Sequence, residues 1–581
     1  MIQLRTLFTS LLALNFVTLI FLIFRNDQET LNPEAILANS VPESEYKFHD
    51  PLLAYHILKK LDVFEPVDVK YYDNMLKPGN KFTTPFMSLI HDPDYCDKHR
   101  AYFAENPEFI FNQINFMTDW PKSALLRGKV AQVVGNDIHP NISASIPSKY
   151  NTSYLFNIKP NVNSFFINGP MHIYQHIGKS FACLSQIYNH IPGHGGLNRK
   201  DMVAESIVNY ADKYKNRPQC FTFDRFFPKT WLLDNETQCR EFFKVFNSPE
   251  YFKLKEERTI VYIKKKGFGA HRAEGVDPLN DAEEKTLRKD FQNGTLCGQK
   301  KMNLIMQNFI HNPLLLGGNK FDFRIYMVVA STNPLILFYH DGFLRLSLHE
   351  YDVKSNDKGV LLTNTELSKK IFEEVSKGGL FKGMNETQLR DFQMWTFPML
   401  RDHLLKTKVI TDENWLDNHL RPQFKRAMVH LLRMSQHTFL QRSSIYELFG
   451  ADFILDDKLN LWFLECNTSP MLKGTSVEKE RFLVKMLKDH YEIIYGLLRS
   501  RMKRVMNFVN ELTLEIKASN LSWDKYINKN LENFRGKFKT LSKNRFEPEF
   551  TPGPENGFTK IIDENYEGPA RYANLIPKEC L

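Results

Sequence analysis

Charged residues at every second position of otherwise apolar segments constrain this chain more than any other feature. In Lys320-Phe-Asp-Phe-Arg324 the spacing predicts a strand with Lys320, Asp322 and Arg324 on one face and both phenylalanines on the other. Three charges on a buried strand are costly unless they hold a ligand or one another, and a buried ion-pair network is the alternative reading. Arg345, between Leu344 and Leu346, is a lone cation in the next apolar strand. Glu465-Cys-Asn467 repeats the pattern with two oxygen ligands, and a hairpin can bring Asp452 of the preceding strand opposite them. Two carboxylates and an amide oxygen suit Mg2+, which is usually completed by waters and phosphates. Beside lysine and arginine, such a site fits a nucleoside triphosphate. A third segment, Ile260-Val-Tyr-Ile263, runs into a basic, glycine-containing loop ending at Gly275. Backbone N–H groups can approach phosphates closely in such a loop.

Further strand-like runs cover Phe323 to Ala330, Leu335 to Tyr339, Ala451 to Leu455 and Leu461 to Glu465. Asp341-Gly342 reads as a hairpin turn, and residues 456–460 close another. Helical patterns lie between, at 366–376 and 421–441. The expected class is therefore α/β (α+β) with mostly antiparallel sheets. Forty-seven phenylalanines and 43 % hydrophobic residues over 581 positions exclude a disordered chain and call for large cores. The seven cysteines form no zinc pattern and read mainly as buried thiols, with Cys220 and Cys239 close enough to bridge in an oxidising compartment.

From Leu7 to Phe24 the chain carries no charge, and as a helix this run would be about 27 Å long, just enough to cross a bilayer. No small-residue cleavage signature follows, so it reads as a membrane anchor rather than a removed signal peptide. Seven N-x-S/T sequons begin at Asn141, Asn151, Asn235, Asn293, Asn385, Asn467 and Asn520, and carry little weight in an Asn-rich chain. At the other end, residues 481–545 hold 15 Lys/Arg and 6 Asp/Glu, a net +9 that equals the excess of the whole chain, 76 − 67. This is either a solvated helix face or a landing strip for an acidic partner. Nucleic acid is not expected, because no base-reading motif accompanies the charge.

Taken together, the motifs resemble the tubulin-tyrosine-ligase-like family, in the family's order over residues 181–480. They are Asn189-His-Ile-Pro-Gly193 with Arg199-Lys-Asp201, Phe227-Pro-Lys-Thr230, the strand and loop from Ile263 to Gly275, Met306 to Ile310, Lys320 to Arg324, Leu362-Thr-Asn364, and Glu447-Leu-Phe-Gly-Ala-Asp452 with Glu465-Cys-Asn467-Thr-Ser-Pro470. The resemblance implies an ATP-grasp fold and an ATP-dependent ligase that joins an amino acid to tubulin C-terminal tails through an acyl phosphate. Glu or Gly is the expected amino acid, with Tyr also open. It implies Mg2+ on Asp452, Glu465 and Asn467, and triphosphate charge offset by Lys320 and by Lys265 or a neighbour among Lys264 to Lys266. Asp322 belongs to the same nucleotide-binding block, and Gln307, Asn308, Phe309 and Ile310 would frame adenine. Arg324, Arg345 and Asn364 would stabilise the acyl phosphate or orient the substrate.

The expected layout is an anchor and flank at 1–30, a region of unassigned role at 31–180, the ligase core at 181–480 and a basic helical extension at 481–581. The expected setting is a membrane-anchored enzyme whose catalytic region is cytosolic, on the cytoskeleton or a cilium. A ligase acting on a non-tubulin protein, or a non-catalytic membrane-anchored microtubule tether, are the alternatives.

Overall fold

Alternation of β-branched and aromatic residues with polar ones builds two antiparallel sheets. The computed structural model describes residues 46–61, 95–112, 166–167 and 183–580, with breaks at 223–225, 259, 268–275, 300–303, 356, 362, 364–382, 469, 471 and 473–476. Residues 48–581 fall in one unit. Its smaller sheet comprises β1 (Thr230–Leu232), β2 (Tyr262–Lys266), β3 (Val276–Pro278) and β4 (Leu304–Asn308), in the spatial order β1-β4-β2-β3. Two helices cover it, α1 (Glu236–Phe246) and α2 (Asp281–Gln292). The Asn235 side chain caps α1, and Asn280 with Glu283 forms a capping box on α2, so each helix begins where its free N–H groups find an acceptor. Phe242, Phe243 and Phe246 of α1 pack on Trp231, Tyr262 and Met306, giving this lobe its own core.

The larger sheet is built on β5 (Asn319–Thr332), β6 (Leu335–Glu350), β7 (Glu447–Leu455), β8 (Leu461–Asn467) and β9 (Phe558–Asp563). Strands β6-β5-β7-β8 lie side by side, and β9 pairs with β6. Helix α3 (Arg421–Ser435) covers one face: Phe424 meets Phe323 and Phe453 at ring-centroid distances of 5.1 and 5.2 Å. Pleating therefore sends Phe321 and Phe323 into the α3 core and Lys320, Asp322 and Arg324 to the opposite face. After β8 come α4 (Val477–Ala518) and α5 (Trp523–Leu541).

Four expectations change. Asp341-Gly342 is no hairpin turn: β6 runs through it, and the glycine is needed because a Cβ at 342 would lie 1.5 Å from the Arg324 carbonyl oxygen. The cysteines are not mainly thiols, since Cys96–Cys183, Cys220–Cys580 and Cys239–Cys297 are disulfides, and Cys220 and Cys239 each bridge elsewhere. The basic segment is not all surface, because Arg499, Arg501 and Arg504 of α4 are buried. The membrane-anchored localisation is also corrected. The run from Leu7 to Phe24 lies outside the described residues, and among the described residues no helix is long and apolar enough to cross a membrane.

Candidate active site

Register brings the charged face of the large sheet together. Asp322 stands opposite Arg345, Arg324 opposite Asp452, and Asp452 opposite Glu465, so a row of charges crosses β6, β5, β7 and β8 and ends in two neighbouring carboxylates. Arg324 grips Asp452 with both ends of its fork, Nε to Oδ1 at 2.6 Å and Nη2 to Oδ2 at 3.0 Å. Arg345 does the same to Asp322 at 2.6 and 2.7 Å and reaches Asp452 Oδ2 at 2.8 Å. Thr363 donates to Asp322 as well. Burial pushes the Asp452 carboxyl up, but the two guanidiniums more than offset it and hold it below the usual carboxylate range. At Asp322 burial wins over Arg345 and the carboxyl lies above that range. Glu465 is half-buried, with Asn467 Nδ2 donating to its Oε1 at 3.2 Å.

Beside this row, a partly open cleft lies between the sheets, lined by Lys200, Thr230, Lys265, Ile305, Gln307, Glu465 and neighbours. Gln307 is held from within the lobe, Nε2 donating to Thr230 Oγ1 at 2.9 Å. Phe309 lies against Lys320, whose Nζ is 5.0 Å from its ring centroid. Asn308 is exposed and Ile310 half-buried, and neither lines the cavity. Among the three basic neighbours, Lys265 lines it, Lys264 pairs with Glu283, and Lys266 is exposed at the strand end. Asn364 and the loop 268–275 lie outside the described residues.

The lysines are the most telling part of the electrostatics. Burial pulls Lys320 down to about 8, and its ammonium donates to the Leu361 carbonyl at 2.6 Å. Burial brings Lys265 to about 8 too, with Lys200 pushing the same way and Glu465 opposing, and Lys265 donates to the Leu464 carbonyl at 3.3 Å. Both are cations that a polyanion would stabilise.

Three further residues take places at the site that the motifs alone did not assign. Lys200 lines the cavity from inside the Arg199-Lys-Asp201 stretch, a visible signal left unused. Lys479, at the start of α4, is pulled to about 7 by burial and by Arg324, Arg345 and Arg390. Glu447 is fully buried and raised to about 7 by burial. It accepts from the Ile191 N–H at 2.9 Å and lies 3.0 Å from His190 Nδ1, joining the Asn189 to Gly193 stretch to β7.

A family model described as "Tubulin-tyrosine ligase family" matches residues 179–503, more than half of the chain. The chain belongs to the tubulin-tyrosine ligase family. Its mixed helical and antiparallel architecture agrees with that membership. Among its relatives, the "Inactive polyglycylase TTLL10" of Homo sapiens is 28 % identical over 261 residues, 44 % of this chain and 36 % of the relative. The "Tubulin monoglycylase TTLL3" of Homo sapiens is 27 % identical over 242 residues, 42 % of this chain and 29 % of the relative. The "Tubulin polyglutamylase TTLL7" of Mus musculus is 29 % identical over 326 residues, 55 % of this chain and 31 % of the relative. The chain thus spans about a third of the length of these relatives.

Proposed function

We propose that this member of the family is an ATP-dependent acid–amino-acid ligase that adds Glu or Gly to the acidic tail of an acceptor protein. The observation that carries the reading is the cavity with Lys200, Lys265 and Glu465 on its wall, Glu465 being the cross-strand neighbour of Asp452 on the charged sheet face that also holds Arg324, Asp322 and Lys320. A buried and a half-buried lysine, each held by a backbone carbonyl, suit phosphates, and partial withdrawal from water strengthens that attraction.

The donor set also fits Mg2+. Asp452 and Glu465 are cross-strand neighbours, and Asn467 lies two residues on, in hydrogen-bond contact with Glu465. The arginines take three of the four lone-pair sites of Asp452, leaving one on Oδ1. Bound there, magnesium would neutralise phosphate charge. Among the described residues no group of three His, Cys, Asp or Glu could hold a metal, so Asn467 and the phosphates complete the set.

In the reaction, an acceptor carboxylate oxygen attacks the γ-phosphorus and ADP leaves with Lys265 and Lys320 on its phosphates. The amine then attacks the acyl carbon, phosphate departs, and an amide forms with loss of a proton. Arg324 and Arg345, fixed by their carboxylates, supply positive charge where it develops on the transferring group.

Tubulin C-terminal tails are the first acceptor reading, because the relatives include a tubulin monoglycylase and a tubulin polyglutamylase. Exposed Lys525, Lys529, Arg535, Lys537 and Lys539 of α5 offer such a tail an attractive surface that weakens as salt rises. A non-tubulin acceptor is the second reading, favoured by the three disulfides. Intact-mass spectrometry of microtubule tails after incubation with the chain, Mg-ATP and Glu, Gly or Tyr separately tests the first. An increment with one amino acid supports it; none with any, despite ATP binding, moves the assignment to the second.

A further inference from the structure

Six of the seven cysteines meet in pairs in three separate parts of the molecule. Cys96–Cys183 ties the helix Tyr95–Glu105 to the start of the ligase region, across 87 residues. Cys239–Cys297 sits in the core of the small lobe and joins α1 to the chain just before β4. Cys220–Cys580 fastens the last residues of the chain to the region before β1 across 360 residues. The Cα separations are 5.5, 5.4 and 5.4 Å, inside the range a bridge requires. Such bridges persist in oxidising compartments and are rare where glutathione and thioredoxin keep thiols reduced.

The sequons supply a second, independent observation. Five of the seven asparagines are among the described residues, and Asn235, Asn293, Asn385 and Asn520 are all exposed. Each lies where the chain turns: Asn235 caps α1, Asn293 ends α2, Asn385 caps the helix Glu386–Gln393, and Asn520 falls between α4 and α5. The fifth, Asn467, is half-buried on the paired strand β8 and bonded to Glu465.

We propose that the chain folds and works in an oxidising compartment as a disulfide-locked glycoprotein, and that the second acceptor reading therefore replaces the first: the acidic segment it modifies belongs to a protein of that compartment rather than to tubulin. The acceptor part rests on the ligase reading above. Each bridge forms when two thiols give two protons and two electrons to a disulfide oxidant, a protein or glutathione, which leaves as two thiols. Each glycan is joined when an Asn Nδ2 displaces the lipid pyrophosphate from C1 of its oligosaccharide donor and loses one proton.

The full chain, produced in eukaryotic cells, is alkylated with N-ethylmaleimide during lysis and digested without reduction. The expected peptide map shows Cys96 linked to Cys183, Cys220 to Cys580 and Cys239 to Cys297, with Cys466 alkylated only after denaturation. Peptide N-glycosidase in heavy-oxygen water should convert one or more of Asn235, Asn293, Asn385 and Asn520 to labelled aspartate, and leave Asn467 bare. Six alkylated cysteines with no labelled aspartate overturn the proposal, and linked cysteines with all four asparagines bare overturn its glycan sites. In a second arm, cells carrying the chain or its Glu465→Gln variant are compared for Glu or Gly added to secretory-pathway proteins and to tubulin. A Glu465-dependent increment on secretory-pathway proteins supports the acceptor class, and one on tubulin alone overturns it. No increment on either, with the cysteines linked, overturns the ligase reading and with it the acceptor, while the compartment stands.

Discussion

Cations withdrawn from water occur in two regions of this molecule and are satisfied to different extents. In the arginines of α4 the protein supplies the partners. Arg504 donates to the backbone carbonyls of Leu541, Lys543 and Arg545 and to Glu547, and Arg501 donates to Ser443, Asn544 and the Gln186 carbonyl. At the candidate site, Lys320 and Lys265 each donate to one backbone carbonyl, and burial has brought both to about 8. Burying a charge costs the same physics in either place. Where several acceptors of the fold meet one guanidinium, the cation is structural; where an ammonium with three N–H groups has a single carbonyl acceptor, the site favours an anionic ligand.

The sharpest break of this comparison comes from the metal face. Glu465→Gln should abolish amide formation, measured as ADP release with Mg-ATP, an acidic peptide and Glu or Gly, while salt-sensitive binding of an acidic peptide survives. Loss of both would show that Glu465 is structural. Next, Arg501→Met should destabilise the chain by about 3 kcal/mol in urea unfolding, because Ser443 and Asn544 lose a buried donor. Its Mg-ATP affinity should stay unchanged. Lys320→Met should give the reverse signature: about a tenfold or greater loss of ATP affinity by calorimetry, from one lost charge-assisted contact, with little or no loss of stability. If both variants behave alike, the distinction between structural and ligand-seeking cations fails.

The smallest effect is a pH dependence with two signs. A lysine lowered from 10.5 to about 8 binds fewer protons folded than unfolded between those values, so its contribution to stability rises with pH across that window. ATP affinity should fall over the same window as the ammonium is lost. The difference between the wild type and Lys320→Met isolates both trends, and their absence would place the Lys320 titration elsewhere.

What could be read without coordinates was what is local. The alternation in Lys320 to Arg324 and Glu465 to Asn467 separates faces by pleating alone, so the charged face was legible from spacing. Asp341-Gly342 misled for the same reason: its local preference is for a turn, yet a 16-residue strand uses the glycine to pass close to the Arg324 backbone. The strand β9 also went unseen, since its partner β6 lies more than two hundred residues away in the chain.

By itself the sequence determined the mixed class, the antiparallel strands, the alternating charged segments and the family, because these depend on near neighbours or on ordered motifs. Only the tertiary structure decided that Asp452 answers two arginines, that Lys265 rather than Lys264 lines the cavity, that three arginines of the basic segment point inward, and that six cysteines pair across as many as 360 residues. Those outcomes depend on strand register and on chain segments that meet only after folding, and no local spacing encodes either.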